Sequence, residues 1–426
     1  MRLGVPGLKL QFHRGDDWWA ALHPKAVLVS DFLNDRYMRQ GIDVPLSSNA
    51  TCVRGSGHVD YALDVDGRFT PFADNILRRS TNGLLAETLG TRLTNYPDTP
   101  LTNGALIVAN ATAEPGNFLN VFSNAARVSS NGATWHRLTI GGAGFAATIG
   151  LPYGFSALYK AGSSGRVRVV LRDEPGAVDS SCAGIVGAVG IDGNWAGTIS
   201  HMRETLLGDG VYLLSGIITP NASSNYSISL SPDSNITGED VVVIGGWIEA
   251  AGPSTPILDN PAGIGARAAD IIADPLPAHW VSDALTIVLK IDKIEIAAGG
   301  EGYLLSVSDG TTANILDLRI DGSGTLVARA NSANLGLQEL FGTQVANDGL
   351  PHTIALSWDN GTGDVSLSLD GVSEVALGRN VPAAATIDQV KIMSAYDTSL
   401  QPKGLCTLFG AVPGYRTGAA LEALGG

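Results

Sequence analysis

Cysteine is scarce: Cys52, Cys182 and Cys406 are the only three in 426 residues, widely spaced and without a CxxC pair. That excludes a disulfide framework or a zinc knuckle and leaves buried thiols as the expectation. Charge is scarce as well. Only 16% of residues are charged, and 41 acidic against 27 basic ones leave a net −14, which repels a phosphate backbone. Nucleic acid is therefore not an expected partner. Long apolar runs are missing too: Lys9, His13, Arg14, Asp16 and Asp17 interrupt the apolar start, so neither a secretory core nor a membrane span is read there. The seven histidines stand singly, and there is no Walker loop, HExxH, GxSxG elbow or EF-hand loop. With no catalytic signature, the expectation is a binding protein and not an enzyme.

What the chain has is turn formers and β-branched residues. Its 53 glycines and 20 prolines punctuate short runs rich in Thr, Val, Ile and Ser, a composition suited to strands; long helices would need more Lys, Glu and Arg. A length of 426 residues exceeds what one core usually fills, so two or three domains are expected.

Residues 1–45 carry a local excess of charge and aromatics, in Asp16-Asp-Trp-Trp and in Asp31-Phe-Leu-Asn-Asp-Arg-Tyr. They read as an attachment segment, or equally as a small cap helix or strand on the next domain. Residues 46–100 are turn-rich, with hairpin signals at Asp66-Gly67 and Asn82-Gly83, and read as a connector. Between 101 and 273, runs such as Arg166-Val-Arg-Val-Val-Leu-Arg172 and Tyr226-Ser-Ile-Ser-Leu230 alternate with the two-residue period of a half-buried strand, predicting a first sandwich. Proline turns at 252–256 and 274–277 end it.

From 274 to 426 the runs starting at Leu285, Thr353 and Val365 alternate again between Asp-Gly pairs, predicting a second antiparallel sandwich with Trp358 in its core. A short helical pattern from Thr417 is expected to cover an edge. The fold class expected is thus all-β, with two antiparallel β-sandwiches in tandem after the N-terminal attachment segment.

Gly142-Ala-Gly144-Phe matches a dinucleotide fingerprint only loosely, since Gly150 and Pro152 arrive before a helix can form. A turn is the better reading. Neighbouring carboxylates, Asp173-Glu174 and Glu239-Asp240, point to opposite strand faces and so do not make a glycosidase pair.

Sugar binding needs an aromatic face beside short polar groups. Two places offer that: Trp135-His136 after a polar loop, and Asp192, Asn194 and Trp195 in one turn. Each indole is also a natural plug for a sandwich end, and that plainer role stays open for every one of them. Trp247, after Gly245-Gly246, is core or inter-sheet packing and is not nominated. Asp-Gly turns offer carboxylates and carbonyls to a structural calcium, but they are hairpin chemistry first, so no cofactor is expected.

Short motifs then fall in a familiar order: Cys52-Val-Arg54-Gly-Ser56-Gly, Asp64-Val-Asp66-Gly67, and Gly83-Leu84-Leu85-Ala-Glu87 through Leu93. Further on come Phe155-Ser156-Ala-Leu-Tyr159-Lys160, Asp209-Gly210-Val-Tyr212, Gly245-Gly246-Trp247-Ile248-Glu249 and Arg267-Ala268-Ala269-Asp270. In these pieces the chain resembles head-spike or tail-fibre proteins of phages and gene transfer agents that carry a carbohydrate-binding module. It departs from them at Gly55 and at Arg92, where the family commonly has Asn.

The stretch from His352 to Trp358 and Leu369-Asp370-Gly371 is similar to concanavalin or laminin-G sandwiches. The resemblance implies a jelly-roll module at 101–273 and a concanavalin-like sandwich at 274–426. It further implies a spike on a virion or phage-like particle, attached to a capsid or tail protein through its N-terminal segment, present in many copies as a homo-oligomer, and adhering to host capsular polysaccharide. The motifs mark strands and turns and assign no sugar contact. A capsule-depolymerising spike and a purely structural one remain as alternatives.

Overall fold

The computed structural model describes residues 26–425 except 55–59, 65, 67, 73–74, 81, 87–89, 92–105, 108–109, 121, 133–137, 177, 186–187, 195, 251–265, 268, 276–282, 297–299, 334, 349, 377, 384–385 and 398–399. The chain is all-β, its strands pairing antiparallel into two sandwiches, and the described residues include a 3-10 turn at Leu46–Ser48 and a short α-helix near the C-terminus.

The first sandwich has two six-stranded sheets. One runs in the order Leu106–Ile107, Leu138–Ala147, Ser224–Pro232, Arg166–Asp173, Val178–Ile185, Ala188–Asn194. The other runs Ala111–Phe118, Phe122–Ser129, Asp240–Glu249, Tyr153–Lys160, Val211–Pro220, Gly197–Gly208. The alternation seen in the sequence is what closes the core: Val167, Val169 and Leu171 meet Tyr226, Ile228 and Leu230 on the inner face, opposite Phe155, Ala157, Tyr159 and Leu214.

The glycine stretch at 142–144 is neither a phosphate loop nor a turn. It lies inside strand Leu138–Ala147, where the register shifts between Ile140 and Phe145. Trp247 is fully buried on the face of its sheet turned away from that core, among Phe118, Phe122, Leu158 and Ile244, and its indole donates to Glu249 Oε1 at 3.1 Å.

The second sandwich pairs a ten-stranded with a seven-stranded sheet. The main path of the larger sheet is Ile42–Asp43, Arg36–Arg39, Leu28–Asp31, Lys403–Pro413, Ala284–Glu295, His352–Asp359, Asp364–Leu369, Val372–Ala376, with Arg79–Ser80 and Gly83–Ala86 joined to it at Lys403–Pro413. The smaller sheet runs Gln338–Val345, Thr325–Asn331, Ile315–Ile320, Gly302–Ser308, Gln389–Ile392, Ile271–Ala273, Thr51–Val53. Their inner faces share one core that includes Leu289, Leu316, Ile354 and Trp358.

Here the structure departs from the expected succession of segments. Strand Leu28–Asp31, within the stretch read as attachment, pairs with Leu408–Ala411 and puts Leu28 into the second core. Residues 26–43 of that stretch contribute strands to the second sandwich, and residues 1–25, with Asp16-Asp-Trp-Trp, lie outside the described residues. The stretch read as a connector likewise supplies Thr51–Val53 and Gly83–Ala86 to the two sheets. The boundary set by proline turns near 273 falls too late, because Ile271–Ala273 already lies between Thr51–Val53 and Gln389–Ile392. The first sandwich is thus inserted between two parts of the second, and Gly90–Thr91 pairs with Ala266–Arg267 where the outgoing and returning chains lie side by side.

Asp-Gly turns behave as hairpin chemistry. Asp370 and Gly371 (φ 50° and 83°) and Asp209 and Gly210 (φ 51° and 70°) each join two strands with both central residues at positive φ, the pairing that matches strand twist. The carboxylates of Asp309 and Asp321 accept bonds from the amides of Thr311 and of Ser323 and Thr325. Helix Ala419–Gly425 buries Leu421, and Leu424 packs on a small cluster with Val29, Met38 and Val288 on the outward face of the ten-stranded sheet. Cys52 and Cys406 are buried, burial pushing the Cys52 thiol up to about 11; the side chain of Cys182 lies outside the described residues.

Candidate functional site

Three of the residues singled out in the sequence, Trp135, His136 and Trp195, lie outside the described residues. Asp192 and Asn194 belong to strand Ala188–Asn194, the edge of a six-stranded sheet, where Asn194 pairs with Ser180 and Asp192 falls at a register shift between Cys182↔Ile191 and Ser181↔Gly193.

Two strands further into the same sheet, roughly 10 Å at ordinary strand spacing, stands the most distinctive polar face of the first sandwich. Because Val167, Val169 and Leu171 turn inward, Arg166, Arg168 and Arg172 must all turn outward from one strand. The neighbouring strand Ser224–Pro232 follows the same rule: Tyr226, Ile228 and Leu230 go in, and Ser227, Ser229 and Ser231 come out. The register sets Arg168 beside Ser231, Val170 beside Ser229 and Arg172 beside Ser227. Thr139, from the next strand, meets Ser229 hydroxyl to hydroxyl at 2.9 Å.

The hydroxyls are sunk between longer neighbours, Ser227 and Ser229 at 0% exposure, while the arginine side chains keep 21–39% of their surface. The result is a guanidinium row about 20 Å long, six residues at some 3.3 Å each, above a layer of hydroxyls closed off from solvent.

Carboxylates hold the row in place. Asp233, nearly buried, takes Arg166 at 2.9 Å and Arg168 at 2.6 Å, so two guanidiniums share one acid. Glu174 sits 3.5 Å from the Arg172 Nε and accepts the Ser227 hydroxyl. A planar fork fixed in this way presents paired donors with little rotamer entropy left to lose. Adjacent sugar hydroxyls, or a sugar carboxylate, offer acceptors at matching spacing. The alternation of 166–172 was visible in the sequence but signalled only a strand; Asp233 and the serine row are brought beside it by pairing that sequence does not state.

The side chains nearest to a catalytic look are Tyr159 and Glu204. Tyr159 donates to the Glu204 carboxylate, and burial first, then that carboxylate, hold its phenol far above the usual range. It is a fixed donor, not a phenolate nucleophile. Among the described residues no group of three or more His, Cys, Asp or Glu is placed to hold a metal ion, and no helix is long and apolar enough to cross a membrane.

No known family matches the chain, and no curated protein matches it. Among solved structures it is similar to the Ruminococcus gnavus IT-sialidase CBM40 (TM-score 0.29, 19% identity, 34% of this chain and 85% of that one). It is also similar to the leech intramolecular trans-sialidase (TM-score 0.29, 16% identity, 34% of this chain and 24% of that one). A third is the heptameric SAP-like pentraxin from Limulus polyphemus (TM-score 0.26, 13% identity, 33% of this chain and 69% of that one). Likenesses at this level leave the function of this chain to be judged on its own residues.

Proposed function

We propose that the chain is an adhesin that holds a host-surface polysaccharide on the arginine row of its first sandwich, without cleaving it. The observation that carries this is the row Arg166, Arg168 and Arg172 standing over Ser227, Ser229 and Ser231 on one outward sheet face. A saccharide offers many hydroxyls and little apolar surface, so it is matched by a preset array of donors and acceptors spread along a strand. A row of about 20 Å suits several sugar units bound weakly, and multiple copies on a particle raise weak contacts to firm attachment.

The motif resemblances in residues 52–93, 155–162, 209–215 and 245–270 support the finer reading, a spike or fibre on a virion or phage-like particle whose ligand is capsular polysaccharide. In that reading the chain works as a homo-oligomer fixed to a capsid or tail protein.

The test is binding of the purified full chain to host cells with and without capsule, with the supernatant assayed for released oligosaccharide. Capsule-dependent binding without release, weakened at least tenfold in an Arg168→Ala, Arg172→Ala double variant, is the expected result. Release of oligosaccharide would make the chain a depolymerase. Capsule-independent behaviour of both proteins would leave a structural spike.

A further inference from the structure

The outward face of the seven-stranded sheet carries a second, chemically different arrangement at its open edge. Pairing across four strands aligns Tyr303, Arg319, Val327 and Phe341 in one row, and Ser306, Asp317, Arg329 and Glu339 in the row beside it. Inward neighbours such as Leu318, Leu326 and Ala328 belong to the core, which fixes both rows outward.

Phe341 is 53% exposed, the one aromatic among the exposed large apolar side chains of the described residues. Every other large ring with a described side chain is at least half covered. Trp358 and Trp247 are buried, and Tyr303 lies under the Arg329 guanidinium at 5.0 Å.

The groups beside the exposed ring are held, not loose. Arg319 is clamped between Glu339, at 2.9 Å, and Glu301, whose carboxylates are about one-third exposed. Arg329 grips Asp317 with two bonds, at 2.8 and 2.6 Å, and a third at 2.6 Å to the Tyr303 hydroxyl. An exposed ring flanked by oriented carboxylates and a guanidinium is complementary to a pyranose: the C–H face of the sugar lies on the ring, and its hydroxyls meet Glu339, Glu301 and Arg319. Three carboxylates against two guanidiniums disfavour an acidic sugar.

We propose that this face is a second glycan subsite, built on Phe341 and selecting a neutral saccharide. The competing occupant is another copy of the chain, since Gln338–Val345 is an edge strand. That edge is already guarded. The Thr343 amide and hydroxyl both donate to Glu374 Oε1, at 3.0 and 2.7 Å, so a donor that a second strand would use is taken, and a second copy would bring Glu339 and Glu374 against their own kind.

The inference stands on residues separate from the arginine row, so the two stand or fall independently. The experiment measures binding of the full chain to immobilised neutral hexose oligosaccharides, for wild type, Phe341→Ala, Phe341→Trp and Arg168→Ala, with sedimentation velocity on each. The expected result is at least a tenfold loss for Phe341→Ala, retention in Phe341→Trp and one sedimentation coefficient throughout. Wild type that ignores the neutral panel, Phe341→Ala that binds it normally, or a change in oligomeric state with Phe341→Ala at unchanged sugar binding would each overturn the assignment. A loss confined to Arg168→Ala would also overturn it and credit the arginine row.

Discussion

Arg54 and Asp270 form an ion pair at 3.0 Å with side-chain exposures of 0% and 1%. They come from opposite ends of the inserted sandwich, and Arg78 also binds Asp270 from a third segment. The Arg54 guanidinium reaches the Ile76 carbonyl at 2.9 Å, and its amide the Asn75 side chain at 2.8 Å. Both residues of the pair lie in the motifs that gave the chain its family resemblance, so the motifs mark a structural joint and not a sugar contact.

Asp270→Asn leaves two buried guanidiniums without their shared counter-charge. Breaking a buried pair from one side typically costs about 3–5 kcal/mol. Chemical denaturation is expected to show that loss in the transition of the second sandwich; a change below about 1 kcal/mol, the scale of an exposed pair, would mean the joint is solvated.

His352 lies between two acids, with Nδ1 at 2.7 Å from Asp370 and Nε2 at 2.8 Å from Asp348. Burial pulls its pKa down, but the bonds and charges of Asp370 and Asp348 outweigh burial, and the net direction is up from 6.5. A raised folded value means the imidazolium contributes stability in full below the unfolded value and loses it as pH rises through the folded one. The second sandwich is therefore expected to melt at a lower temperature at about pH 8 than at about pH 6, and His352→Gln to flatten that dependence. An unchanged slope in the variant would assign the pH response to other groups.

Gly144→Ala places a side chain at φ +93°, where its Cβ runs into the Tyr226 carbonyl oxygen. Left-handed strain alone is worth about 1–3 kcal/mol. A lower denaturation midpoint for the first sandwich is expected, with the second sandwich unaffected.

Trp358→Ala empties a core site and is expected to cost about 3–5 kcal/mol. Phe341→Ala is expected to leave stability almost unchanged, since that ring is more than half in solvent. Equal losses for the two would place Phe341 in the core.

How much of this was legible beforehand follows from the range of the forces involved. Two-residue alternation in Arg166–Asp173, Ser224–Pro232, His352–Asp359 and Asp364–Leu369 is a local signal, and it gave strands, inward faces and the burial of Trp358. The Asp-Gly hairpins at 209 and 370 were equally local. The pairing of Leu28–Asp31 with the strand near the C-terminus was not, because four residues of strand carry no address for a partner almost 400 positions away. Only the folded register, Leu28 opposite Ala411 and Asp31 opposite Leu408, reveals it.

The sites divide in the same way. Indoles are a local sequence signal, whereas the held arginine row arises only when the serine strand and Asp233 come beside the arginine strand. Phe341 has an ordinary sequence setting, and its exposure follows from its strand ending a sheet.

Insertion gives the first sandwich two covalent tethers, one leading to Gly83–Ala86 in the ten-stranded sheet and one to Ile271–Ala273 in the seven-stranded sheet. A pull on the sandwich is divided between them. Cutting one peptide bond in either tether leaves the sandwich held by the other, so two breaks are needed to release it.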